Sequence, residues 1–115
     1  MQSEQANQVH ELTKSLFPYC TIFSEHFVKF KGQTLYFDFY IKELNILIEV
    51  QGEQHFSYNK HFHGNREGFV ASKRRDNLKK EYCESERMAL VIIPFNEKVD
   101  KKKLLHKFSK ALEKL

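Results

Sequence analysis

Polar and apolar residues change rhythm several times along the chain, and each change marks an element. From about Gln5 to Phe17, the apolar positions Val9, Leu12, Leu16 and Phe17 recur at helical spacing. Pro18 stops that helix. His26 to Lys31 then reads as a strand, Lys31-Gly32-Gln33 as a turn, and Thr34 to Ile41 as a second strand. A third strand, Asn45 to Gln51, closes at Gly52, and a polar loop over 53–65 follows with His55, His61 and His63. Next comes a basic helix from about Arg66 to Glu84, with Phe69, Val70, Leu78 and Tyr82 turned inward. Met88 to Ile93 is a continuous apolar run, the pattern of a strand covered on both faces. Asp100 is placed to cap a last helix whose stripe is Leu104, Leu105, Phe108, Leu112 and Leu115. The pattern predicts an α/β fold in the order αβββαβα, a mixed sheet flanked by helices. The strand that returns after the long helix is expected to pair parallel to a neighbour.

The second and third strands fix their own register. With Glu43 and Leu44 at the loop, Ile41 faces Ile46, Tyr40 faces Leu47 and Asp38 faces Glu49. Side chains alternate along a strand. One face then carries Phe37, Phe39, Ile41, Ile46, Ile48 and Val50, and a core position is expected for it. The other carries Tyr36, Asp38, Tyr40, Leu47, Glu49 and Gln51. A slip of one residue would mix the two sets. Opposed side chains in such a ladder lie about 5 Å apart at Cβ, so Asp38 and Glu49 form an acidic pair that needs a compensating charge. A divalent cation meets that need, and so does a lysine or arginine from the basic helix.

Composition narrows the class. The chain has 115 residues, 41% of them hydrophobic, which suits one packed domain over 1–115 and excludes a disordered chain. A net charge of +4 is compatible with a polyanionic partner. The cysteines Cys20 and Cys83 show no zinc spacing and are expected as free thiols in a reducing cytoplasm. No apolar run approaches the roughly 20 residues of a membrane span, and Met1 to Gln8 carries no apolar signal segment.

The stretches Asp38-Phe39-Tyr40-Ile41, Ile48-Glu49-Val50-Gln51-Gly52-Glu53-Gln54-His55 and Lys73-Arg74-Arg75-Asp76 together resemble the PD-(D/E)XK nuclease superfamily. Within it they are similar to the very-short-patch-repair-like, or EDxHD, branch. The likeness covers about residues 35 to 95. It implies a restriction-endonuclease-like core and a metal-dependent DNA endonuclease, a Mg²⁺ (or Mn²⁺) phosphodiester hydrolase. It also implies that Asp38 and Glu49 hold the metal, that His55 acts as base or positions water, and that Asp76 orients His55. Glu11 on the first helix matches the family's early acidic residue, with Glu25 as its competitor. Gln51 stands where the family usually has lysine. It can orient a water but brings no charge, so Lys73, Arg74 or Arg75 would stabilise the phosphate. Otherwise the chain is an inactive DNA-binding module with a nuclease fold.

Lys73, Arg74, Arg75, Lys79 and Lys80 form the basic stripe expected to contact DNA. The small size leaves no room for a sequence-reading domain. That favours structure-selective action in repair or recombination, on a nick, a mismatch or a four-way junction, with a homodimer as its sharpest form. The expected setting is the cytoplasm, bacterial or phage-encoded in the host. An interaction protein that uses the hairpin only as scaffold is the third reading.

Overall fold

A computed structural model describes residues 3–52 and 66–115. In chain order the elements are α1 (Glu4–Leu16), β1 (Ile22–Phe30), β2 (Gln33–Ile41), β3 (Ile46–Val50), α2 (Arg66–Ser85), β4 (Ala89–Ile93) and α3 (Lys101–Glu113). The order is the expected one. β1 is longer than its alternation suggested and begins at Ile22, before His26. The predicted loop histidines His55, His61 and His63 lie outside the described residues.

Local chemistry sets the boundaries. Ser3 caps α1, its hydroxyl accepting from the Ala6 amide at 3.1 Å. Asp100 caps α3 in the same way, accepting from the Lys103 amide at 2.8 Å. Lys31 and Gly32 join β1 to β2 with φ of 49° and 77°, the paired positive values of a turn that follows strand twist. Lys42–Asn45 joins β2 to β3. There Asn45 takes φ 56° and donates its N–H to the Lys42 carbonyl at 3.2 Å.

The strands form one sheet in the order β1-β2-β3-β4. The first three run as an antiparallel meander, and β4, returning after α2, pairs parallel to β3. The β2–β3 register is the predicted one: Ile41 with Ile46, Tyr40 with Leu47, Phe39 with Ile48.

Both faces of the sheet are covered. α1 and α3 pack on one face, where Ala6, Val9, Leu104 and Phe108 meet Phe39, Ile41, Ile46, Ile48, Val91 and Ile93. α2 packs on the other, where Leu78 and Cys83 meet Leu35, Phe37, Leu47 and Met88, with Tyr40 and Tyr82 beside them. This corrects the single apolar face read from alternation. Leu47 was assigned to the polar face and is fully buried under α2. Phe37 was grouped with Phe39 and lies in the opposite layer.

The cause is an inversion of the β1–β2 ribbon. A regular strand keeps residues two apart on one face. Here Leu35 and Phe37 face α2, whereas Phe39 and Ile41 face α1 and α3. The changeover falls at Asp38. Across the ribbon from it stands Glu25, with φ of 54°, between the pairs Ser24–Phe39 and His26–Phe37. The β2–β3 ladder runs no further than Phe39–Ile48. Beyond that point the Asp38 carboxylate accepts the Val50 N–H at 2.7 Å, a side chain standing in for a main-chain acceptor.

Two helix faces differ in detail from expectation. On α2, Val70 is 58% exposed, and the packed residues are Leu78, Tyr82 and Cys83. On α3 the buried face is Leu104, Phe108 and partly Ala111, while Leu105, Leu112 and Leu115 are exposed. Leu105 and Leu112 each sit one residue past a buried position, a rotation of about 100° away from the sheet.

Leu47→Ala is expected to destabilise the fold by about 2–5 kcal/mol, the usual cost of a truncated core leucine. Val70→Ala should stay within about 0.5 kcal/mol. Denaturant unfolding of the two variants checks the covered second face. In the same assay Asp38→Ala orphans the Val50 amide at a cost of about 1–3 kcal/mol. Asp38→Asn retains an acceptor oxygen and should cost clearly less.

Candidate active site

The ribbon inversion opens a cleft on the α2 side of the sheet. Glu25, Phe27, Tyr36, Phe37, Asp38, Glu49 and Lys79 line it, around a volume of about 520 Å³. Asp38 is pinned to β3 by the Val50 amide. Glu49 comes from the penultimate position of β3, with 11% of its side chain exposed. Lys79 reaches in from α2, and its ammonium pairs with Glu49 Oε2. That ammonium also lies 5.6 Å from the centroid of the Phe37 ring, whose face attracts a cation. Phe27 and Tyr36 form an exposed aromatic rim, with ring centroids 6.0 Å apart.

The electrostatics of the cleft reach its neighbours. Cys83 follows Lys79 by one turn of α2, and its thiol is pushed up to about 12, first by burial and then by the negative charge of Glu49. It therefore stays protonated at neutral pH and is not a nucleophile. His26, next to Glu25 on β1, packs against Tyr40 with ring centroids 4.6 Å apart and planes tilted by 33°. Burial holds its pKa below the usual histidine value, which favours the neutral ring.

Hard carboxylate oxygens in a solvent-open cleft suit Mg²⁺ or Mn²⁺, because such an ion binds one or two protein carboxylates and keeps waters and substrate oxygens. At Glu49 the positive charge present is the Lys79 ammonium. Among the described residues, no group of three or more His, Cys, Asp or Glu side chains converges as a preformed metal cage. Asp38 and Glu49 are the residues that would hold an ion here, with Glu25 at the same cleft wall.

The structure brings some predicted residues together and separates others. Asp38 and Glu49 share the cleft, although the side-chain bond to Val50 replaces the direct opposition expected of them. Of the two early glutamates, Glu25 lines the cleft. Glu11 is 73% exposed on α1, paired with Lys14 at 3.1 Å, and α1 covers the other face of the sheet. Gln51 follows β3 half-buried, its N–H held by the Ile93 carbonyl at 2.9 Å. Asp76 is partly buried one helical turn before Lys79. His55 lies outside the described residues.

The basic stripe divides. Arg74 and Arg75, with Arg66 and Gln33, line a second cleft of about 620 Å³. Lys73 leans over the Phe69 ring at 5.6 Å. Lys80 lines a different recess, with Met88 and Leu90. Lys79 is turned into the acidic cleft. Sequence reasoning offered a lysine or arginine of the basic helix as one compensator of the acidic pair, and Lys79 fills that place at Glu49, although it was named only within the stripe expected to contact DNA. Its place beside the inward-facing Leu78 was the available signal. Glu25 and Arg66 gave none as sharp.

No family model matches the chain, and no solved structure matches it. It is similar to three viral proteins. These are uncharacterized protein 307L of Invertebrate iridescent virus 6, 34% identical over 61 residues (53% of this chain, 31% of that protein); uncharacterized protein 033L of Invertebrate iridescent virus 3, 29% identical over 68 residues (59% and 35%); and uncharacterized protein 094L of Frog virus 3, 35% identical over 68 residues (58% and 44%). The matched stretch therefore spans between about a third and under half of these relatives' own lengths.

Proposed function

We propose that the chain is the core of a Mg²⁺- or Mn²⁺-dependent endonuclease that hydrolyses phosphodiester bonds in DNA, with the restriction-endonuclease-like architecture its sequence resembles. The observation that carries this reading is the convergence of Asp38 and Glu49 on one open cleft, with one carboxylate pinned by the backbone of the strand that bears the other. The meander of β1 to β3 with β4 parallel to β3 supports it.

The chemistry assigns work to each wall. Asp38 and Glu49 would hold the ion, which would lower the pKa of a bound water and offset charge on the phosphate. The Val50 amide keeps Asp38 in one orientation, so the carboxylate need not reorganise during reaction. Arg66, Arg74 and Arg75 bind the DNA backbone from the neighbouring cleft. The resemblance would further make His55 the proton acceptor, Asp76 its orienting group and Gln51 a group that positions water. Glu25 takes the early acidic role in preference to Glu11, because it lines the cleft.

Structure-selective action on a nick, a mismatch or a four-way junction belongs to this proposal, and a homodimer would present two clefts to a junction. Among the described residues, no helix is long and apolar enough to cross a membrane. The relatives are proteins of viruses named for invertebrate and frog hosts, which moves the proposed setting from a bacterium or phage to a virus-infected animal cell.

Labelled duplex, nicked, mismatched, single-stranded and four-way-junction DNA should be incubated with Mg²⁺, Mn²⁺ or EDTA. Cleavage is expected in metal alone. Asp38→Asn and Glu49→Gln should each lower it by at least about 10²-fold. DNA binding without cleavage in either metal would replace the enzyme with a DNA-binding module of the same fold.

A further inference from the structure

We infer that the outer edge of β4 and the recess beside it form a docking groove for an extended acidic peptide with one apolar anchor, a segment of a partner protein. The inference needs neither the metal nor the nuclease reading.

The groove follows from the sheet order. Among the described residues, β4 is the last strand of the sheet. The Ala89 N–H donates to the Asn45 carbonyl at 3.1 Å, and the Ile93 carbonyl accepts from the Gln51 N–H at 2.9 Å, so these two residues turn their main chain toward β3. Main-chain groups alternate sides along a strand. The N–H and C=O of Leu90 and Ile92 therefore point along the outer edge, where they can bond an added strand. Ala89, Val91 and Ile93 fill the core under α1 and α3, so the side chains of Leu90 and Ile92 face the α2 side. These two residues thus offer both main-chain partners and apolar surface.

Beside that edge lies a recess of about 410 Å³ between β4, α2 and the end of α3. Its apolar wall is Met88, Leu90, Ile92 and Leu115, the last 60% exposed. Lys80, Arg87 and Lys114 stand round it, all exposed, against the carboxylate of Glu84. This combination selects the occupant. An apolar side chain fits the wall, and carboxylates on either side of it meet the cations. In an extended segment residues two apart share a face, so a leucine with an aspartate two positions before it and another two positions after it presents all three to the groove. A second copy of the chain would set these three cations against the same three. A DNA backbone would satisfy the cations and leave the apolar wall unused. Lys79 turns into the acidic cleft and Lys80 into this recess, so a partner bound here leaves the acidic cleft open.

The test titrates the ¹⁵N-labelled full chain with a synthetic peptide of serines that carries one leucine and an aspartate two positions to each side of it. The amide shifts and hydrogen exchange of Leu90 and Ile92 are read. The peptide should shift both amides and slow their exchange, the mark of an added strand. Replacing its leucine by serine, or its aspartates by lysines, should weaken binding by at least about tenfold. The variant Lys80→Glu/Arg87→Glu/Lys114→Glu should reverse the preference, losing the aspartate peptide and binding the lysine one. Lys80→Glu/Lys114→Glu carries the same test should reversal at Arg87 disturb the connection into β4.

Leu90 and Ile92 amides that stay unmoved at about 1 mM peptide would overturn the groove. Equal binding of the leucine-free peptide would overturn the anchor and leave only a charged surface. Amides that respond instead to a short DNA duplex would make this edge a nucleic-acid contact. Protection that rises with protein concentration alone would make it an interface between two copies. Either of these last results would overturn the peptide as its occupant.

Discussion

The bond from the Val50 amide to the Asp38 carboxylate is where fold and site depend on each other. At that point the β1–β2 ribbon turns over, and β2 no longer supplies the main-chain partners that a ladder would give β3. An apolar residue at position 38 would leave a half-buried N–H without its partner. Aspartate fills the gap, and the ribbon that it stabilises exposes the concave wall where Glu25, Asp38 and Glu49 meet. The site is thus a consequence of irregular sheet geometry, in keeping with the frequent link between distorted strand pairing and functional positions.

The two-layer core explains why this irregularity is tolerated. Leu35, Phe37 and Leu47 are held by α2, and Phe39, Ile41 and Ile48 by α1 and α3, so the residues on either side of the inversion are fully packed. β3 lies between these layers and pairs on both edges, with β2 and β4. A glutamate on such a strand is placed accurately but stripped of much of its water. Its stability then depends on a neighbouring cation, which Lys79 supplies.

Much of the fold was legible because local signals agreed with one another. The register of β2 and β3 followed from alternation and the position of the loop, and the crossover to a parallel β4 followed from the helix between them. The inversion was not legible. Residues 35, 37, 39 and 41 are all apolar and all odd-numbered, so a strand that changes layers writes the same pattern as one that does not. Leu47 was read as outward because alternation assumes one wet face. The acidic pair was legible from spacing. Glu25 was legible only as the competitor of Glu11, because its place in the cleft goes with a positive φ that its residue type does not advertise. The role of Lys79 depended on which flank of α2 turns to the sheet, a rotation that the many charged residues of that helix conceal.

On the proposed reading this cleft takes a divalent ion between Asp38 and Glu49. Titrating ¹⁵N-labelled protein with substoichiometric Mn²⁺ and following backbone amide signals tests it directly, because the paramagnetic ion broadens the nearest amides first. Asp38, Glu49 and Val50 are expected to broaden before any others among the described residues, and excess Mg²⁺ is expected to restore them. Broadening that begins at surface carboxylates such as Glu97 or Glu113, with Val50 left sharp, would contradict it.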